Sequence, residues 1–415
     1  MQTNDENKQW ITLDQVYAGY LDCRKRKKSS KSCAEFQMRL IPNIVELHRK
    51  LNDHTYTIGK SIAFCVTRPK IREVFAAEFT DRIVHHIVIQ RLNPLFEKFF
   101  IADTYNCRKG KGTMFGVKKV AEMMERHPNG WVVKCDLQGF FMSIDRKLLA
   151  DRLEDWIRLN YKHSDIEDIV WLCRMIALHA PEENCEKRGN LKIWDRLPDN
   201  KTLFRNGKGK GMAIGNLTSQ IFANFYLCIL DFFLAGIPGI EYGRYVDDFV
   251  MIGDDKDFLL SLLLPIRELL SDNCMTLHPN KIYIQPVSHG VNFLGSTIKD
   301  GRIYTGNRTV GNFENFVRFF NEFPCKERFI ESFAQRYNSY AGYLSHTHSY
   351  NIRLHIWRDL VGLDVKQYCH ITNNYTAVKV FDKYKRKTKI LRRHVKTRHR
   401  KIKMDQDGAR LLKRR

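Results

Sequence analysis

The segment Arg244-Tyr245-Val246-Asp247-Asp248-Phe249-Val250-Met251-Ile252 sets two adjacent carboxylates between two apolar, β-forming stretches. This pattern predicts two strands over 242–252 around a tight turn, with Asp247-Asp248 at the tip of the hairpin. A tip that only has to turn the chain favours Asn-Gly or Asp-Gly, so paired acids there are either turn chemistry or a functional group. A second acid bears on that choice. Asp136 ends the short apolar run Trp131-Val132-Val133-Lys134-Cys135, which reads as a buried strand, and the aromatic pair Phe140-Phe141 follows it. If this strand meets the hairpin, three carboxylates converge into a hard oxygen site suited to two Mg²⁺ ions. Two such ions about 4 Å apart activate an attacking 3′-hydroxyl and stabilise a leaving pyrophosphate. Phosphoryl transfer needs little beyond positioning and charge neutralisation.

The rest of the chain fits a nucleic-acid enzyme. Over 415 residues, 69 Lys and Arg stand against 46 Asp and Glu, a net charge of +23 that favours a polyanionic partner. The 43% hydrophobic and 12% aromatic fractions exclude disorder for most of the chain. Much of the charge is terminal: Lys379 to Arg415 holds 17 Lys and Arg against 3 Asp. That run cannot bury a core and reads as a nucleic-acid arm or a solvated tail. A second basic run, Arg24-Lys25-Arg26-Lys27-Lys28, lies between two helical patterns. The apolar runs are all short of the ~18–20 residues of a membrane span, and MQTNDENKQW lacks a secretory core. Eleven scattered cysteines without a Cys-x-x-Cys pair read as free thiols of a cytoplasmic protein. Helices are expected over 10–52, 80–100, 146–160, 165–180, 214–234, 256–272 and 312–345, with a loop or small hairpin over 182–212 and short strands over 281–305. The class is α+β.

On these residues the chain resembles a reverse transcriptase. Tyr245-Val246-Asp247-Asp248 matches the family's Tyr-x-Asp-Asp box, and Asp136 its first catalytic acid, about 110 residues upstream. Further blocks follow in order. Arg68-Pro69-Lys70-Ile71-Arg72-Glu73-Val74 resembles the motif in which Lys70 and Arg72 would clamp the incoming triphosphate. An edge strand of alternating charge is the plain alternative. Asp81 is expected at a helix start. Phe141, five residues after Asp136, matches the aromatic that excludes a 2′-hydroxyl and selects deoxynucleotides. Lys281 matches a lysine near the nucleotide phosphates, and Val291-Asn292-Phe293-Leu294-Gly295-Ser296 a motif near the primer terminus. The resemblance implies a right-hand polymerase fold: fingers and palm with an antiparallel sheet over 1–308, a helical thumb over 309–372, and a basic C-terminal tail over 373–415.

One block narrows the resemblance. Gly211-Met212-Ala213-Ile214-Gly215-Asn216-Leu217-Thr218-Ser219-Gln220 stands where most reverse transcriptases carry Gln-Gly-x-x-x-Ser-Pro. Ile214 and Gln220 give the form characteristic of diversity-generating retroelements, whose enzymes miscopy template adenines. An Ile offers apolar contact where Gln would offer directional hydrogen bonds, which weakens discrimination between bases. The basic stretches around Arg24, Lys25 and Arg26 and around Arg108, Lys109 and Lys111 resemble that group too, and suit RNA-backbone contacts. The resemblance implies a template RNA, dNTPs, a cDNA product and an oligomeric accessory variability determinant protein, in a bacterial or phage-encoded, cytoplasmic setting without a membrane. The length after Asp248 leaves room for a thumb and tail rather than RNase H or maturase domains. Another bacterial reverse transcriptase, of retron or defence type, and a catalytically idle RNA-binding protein on the same fold are the alternatives.

Overall fold

The computed structural model describes residues 9–385 except 26, 28, 29, 68, 69, 324 and 325. Two compact units divide the chain, Met1–Leu294 and Gly295–Arg415, so the break falls before the expected boundary at 308.

The first unit holds two sheets among helices. One sheet runs β2-β1-β4, built from β1 (Ser61–Val66), β2 (Arg72–Ala76) and β4 (Cys185–Arg188), with β3 (Trp131–Asp136) belonging to the other. The second sheet has the order β5-β6-β3-β7, with β5 (Ile240–Tyr245), β6 (Asp248–Gly253) and β7 (Tyr283–Pro286), and every pairing is antiparallel. Its central strand β6 is apolar on both faces, whereas β3 sets the partly exposed Lys134 among apolar neighbours. Phe249, Val250, Met251 and Ile252 are all fully buried, as are Val133 and Cys135. The long helix Phe79–Phe99 packs Ile83, Val84, Ile87, Val88, Leu92 and Phe96 inward and runs through Pro94 without ending. Helices Leu217–Tyr226 and Cys228–Ala235 meet at Leu227. Together, Leu217–Ala235 is long and apolar enough to cross a membrane, contrary to the sequence reading, but 72% of it is buried inside the protein, as in a core helix.

Several boundaries differ from expectation. The pattern over 10–52 resolves into three helices, Leu13–Arg24, Lys31–Met38 and Leu40–Asn52, the first started by a capping box of Thr12 and Gln15. Segment 182–212 is neither a plain loop nor a hairpin. It supplies β4, parallel to β1, and three short 3₁₀ turns. Buried Glu73 ties them down, accepting 2.7 Å hydrogen bonds from Trp194 Nε1, Thr202 Oγ1 and the Leu203 amide.

The second unit carries the hairpin Ser296–Lys299 and Arg302–Thr305 and the helices Asn307–Glu322 and Lys326–Leu344. Its core is aromatic: Phe313 lies 4.9 Å from Tyr340 and Phe320 4.5 Å from Phe333, ring centre to ring centre. Phe319 points outward, because its position falls on the opposite face of the helix. Most of the expected basic tail, residues 386–415, lies outside the described residues.

Candidate active site

Strand pairing assembles the acids. Asp136, the last residue of β3, is the direct register partner of Asp248, the first residue of β6, and Tyr245 opposes Asp248 from β5. The two-residue turn is therefore Val246-Asp247, one residue earlier than the expected Asp247-Asp248 tip. Asp248 is a strand residue. Val246 has φ +59°, a left-handed conformation that a β-branched residue rarely adopts and that a hairpin turn of this length normally gives to Gly.

Buried polar groups hold the strained turn. Asn106 Oδ1 accepts from the Val246 amide at 3.0 Å, and the Arg244 guanidinium donates to the Val246 carbonyl at 2.8 Å. Arg244 is fully buried. It forms a two-point pair with buried Asp231 at 2.6 and 2.5 Å, and Tyr242 and Thr104 hydroxyls donate to the same carboxylate. Burial pulls the Arg244 pKa down, but the Asp231 charge and hydrogen bonds outweigh it and keep the guanidinium charged.

These acids open into a cleft of about 820 Å³. Its walls include Asp136, Asp247 and Asp248 and also Lys70, Arg72, Phe141, Ile214, Gln220 and Lys281, so the sequence-derived nucleotide residues share one cavity with the carboxylates. Burial, then the Asp136 and Asp248 charges, push the Asp247 carboxyl up to about 6. Burial also raises Asp248, against the opposing pull of Lys134 at 3.8 Å. Lys281 Nζ donates to Asp136 Oδ2. Burial would lower its pKa, but that hydrogen bond and the three carboxylates raise it. Phe140 is core, 2% exposed, whereas Phe141 is half-buried against the cleft. Ile214 is fixed by its carbonyl, which accepts from the Phe75 amide of β2 at 2.9 Å. The following Gly215 has φ +130°, and a Cβ there would sit 2.7 Å from the Phe75 carbonyl, so any side chain is strained and forces the backbone to shift.

The basic stretches lie elsewhere. Arg24 ends the first helix and Lys25 pairs with Asp22 at 2.6 Å, while Arg26 lies outside the described residues. Arg108 is turned inward, contrary to an RNA-contacting role. Its guanidinium meets the Glu97 carboxylate at 2.9 Å and the carbonyls of Glu97, Ile101 and Thr104. Lys111 donates to the Ala102 carbonyl, and Lys109 is exposed. Asp81 stands in the first turn of its helix, as expected, though Glu78 occupies the N-cap. Asp81 is buried, accepting from Tyr56 Oη at 2.6 Å and from the Gly59 amide. Sequence reasoning missed Asn106, whose role depends on a contact 140 residues away. It also missed Pro198, Asn200 and Lys201, which the 182–212 segment adds to the cleft wall.

Among the described residues no three His, Cys, Asp or Glu side chains are grouped as a ready metal cage. Lys281 and Lys134 instead serve as counter-charges for Asp136 and Asp248. The donor set still fits a hard divalent cation: Asp136, Asp247 and Asp248 line one cleft at the paired ends of β3 and β6, and the burial and mutual repulsion that raise Asp247 are relieved by added positive charge.

No curated protein matches the chain. A family model does: that of the reverse transcriptase, an RNA-dependent DNA polymerase, matches residues 66–298. This span covers more than half of the chain and contains all three acids and every nucleotide residue lining the cleft. The chain belongs to the reverse transcriptases, nucleotidyltransferases that use an RNA template and dNTPs to make DNA.

Proposed function

We propose that this reverse transcriptase is of the diversity-generating retroelement type. It would make cDNA from a template-repeat RNA with errors directed to template adenines, supplying variants to a target gene by mutagenic retrohoming. The observation that carries the reading is Ile214 in the cleft wall, three strand positions from Arg72 across the Phe75 hydrogen bond, where most of the family has Gln. An apolar side chain there offers none of the directional hydrogen bonds that a Gln would, and that loss weakens discrimination between bases.

In this reading Asp136, Asp247 and Asp248 hold two Mg²⁺ ions, which when bound supply charge for the attacking hydroxyl and the leaving pyrophosphate. Lys70 and Arg72 neutralise triphosphate charge, Arg72 with its planar fork. Lys281 leaves Asp136 for the nucleotide phosphates, and Phe141 packs under the sugar. The first unit then corresponds to fingers and palm and the helices of the second to a thumb, with the basic tail on nucleic acid. An oligomeric accessory variability determinant protein acts with the enzyme in the cytoplasm.

The test is extension of a primer on an RNA template, with and without the accessory protein, followed by sequencing. Errors concentrated at template adenines, and reduced by Ile214→Gln, support the reading. Accurate cDNA would move the enzyme to a retron or defence class. Absence of product would favour an idle RNA-binding protein.

A further inference from the structure

One dipeptide touches both walls of the cleft. Segment 103–107 runs along β5: the Arg244 amide donates to the Asp103 carbonyl and the Tyr105 amide to the Arg244 carbonyl, each at 2.9 Å. At its end, Asn106 accepts from Val246, the residue before Asp247, and its carbonyl accepts from Asn224 Nδ2 at 3.3 Å. The next residue, Cys107, has φ +55°, unusual for a residue other than Gly, Asn or Asp. That twist sends its thiol the other way, where Sγ donates to Gln220 Oε1 at 2.9 Å. Both Asn106 and Cys107 line the cleft, and Cys107 is exposed within it.

We infer that Asn106-Cys107 is a clamp that ties the carboxylate turn to the 211–220 wall, and that Cys107 is a positioning residue for nucleotide selection through Gln220. A Gln amide has two ends of opposite character. With Oε1 held by the thiol, Nε2 is the end that donates into the cleft, toward the template or the incoming base. A rotated amide would present an acceptor instead and favour different pairs. The inference rests on the polymerase reading of the cleft, and it assigns Cys107 no contact with substrate.

The experiment is a double-mutant cycle on the full-length chain, read by single-nucleotide incorporation on an RNA template with right and wrong dNTPs. Cys107→Ala should change the ratio of wrong to right incorporation about three- to tenfold, the effect of one lost hydrogen bond, through KM for the dNTP more than through kcat. Cys107→Ser, which keeps a donor, should return the ratio toward wild type. In a Gln220→Leu background Cys107→Ala should add nothing. An undiminished effect in that background, or no effect in the wild type, overturns the inference. A second measurement does not depend on the Cys107→Ala protein folding. Gln220→Leu should speed alkylation of Cys107 by N-ethylmaleimide several-fold, with Cys107→Ser as the blank, and an unchanged rate contradicts the hydrogen bond. Failure of the polymerase reading itself looks different, because wild type would then make no DNA in any arm.

Discussion

Replacing Asp231 with Asn tests whether a buried ion pair sets the geometry of the carboxylate turn. Asp231 and Arg244 are 0–1% exposed, and Asp231 meets the guanidinium at two points. The substitution keeps shape but removes the negative charge and turns an amide N–H toward a donor. An uncompensated buried charge of this kind costs about 3–5 kcal/mol. The loss should appear as a lower urea midpoint at unchanged m-value. Activity should fall further than stability, because Arg244 also holds the Val246 carbonyl and Asn224 Oδ1. The informative control is the double variant Asp231→Leu with Arg244→Met. Replacing both partners with apolar groups removes the buried charges, so it should be more stable than Asp231→Asn alone. It should remain impaired in nucleotide incorporation, since the turn has lost its guanidinium anchor. If Asp231→Asn shifts stability by less than about 1 kcal/mol, or if the double variant regains full activity, the argument that this pair shapes the turn is wrong.

Three further outcomes follow from the same structure. Glu73→Ala strands three buried donors, on Trp194, Thr202 and Leu203. It should cost about 2–4 kcal/mol and expose residues 185–211 to limited proteolysis, a pattern the intact protein should not show. Gly215→Ala forces a side chain into φ +130° and against the Phe75 carbonyl. About 1–3 kcal/mol of strain should lower the melting temperature and weaken dNTP binding together. Burial and the neighbouring carboxylates push the folded Asp247 carboxyl up to about 6, from an ordinary value of 3.8 in the unfolded chain. The folded state then binds more protons between those values, so this group's contribution to stability falls as pH rises from about 4 to about 6. In chelator-containing buffer Asp247→Asn should flatten that slope, and thermal unfolding across the window measures it.

The parts of the site legible in the sequence were those marked by local pattern. β3 and β6 are short apolar runs with an acid at one end, Asp136 closing β3 and Asp248 opening β6, and these acids stand at strand ends because that is where an apolar run stops being buried. The turn itself was misplaced by one residue. Nothing local signals that Val246 adopts a glycine-like conformation, since its support comes from Asn106 and Arg244 rather than from its neighbours. β4 was missed for a similar reason. Its sequence, Cys-Glu-Lys-Arg, has neither alternation nor apolar bulk, and it exists because β1 offers a free edge. By residue type Arg108 reads as an RNA-backbone contact and Asp81 as a helix-start residue. Each is buried by partners that periodicity does not reveal, Glu97 for one and Tyr56 with Gly59 for the other. Position 214 was legible as a departure from the family block, and the structure adds that its backbone is locked to β2.

In the proposed reading Asp136, Asp247 and Asp248 form one metal-dependent nucleotidyltransfer site at the paired ends of β3 and β6. Its most direct test is single-nucleotide incorporation into a DNA primer on an RNA template, titrated with Mg²⁺, comparing wild type with Asp136→Ala, Asp247→Ala and Asp248→Ala. Wild type should show saturable, Mg²⁺-dependent incorporation and each variant none above background, with folding intact by circular dichroism. Incorporation by a folded Asp247→Ala or Asp136→Ala protein at the wild-type rate would contradict that reading.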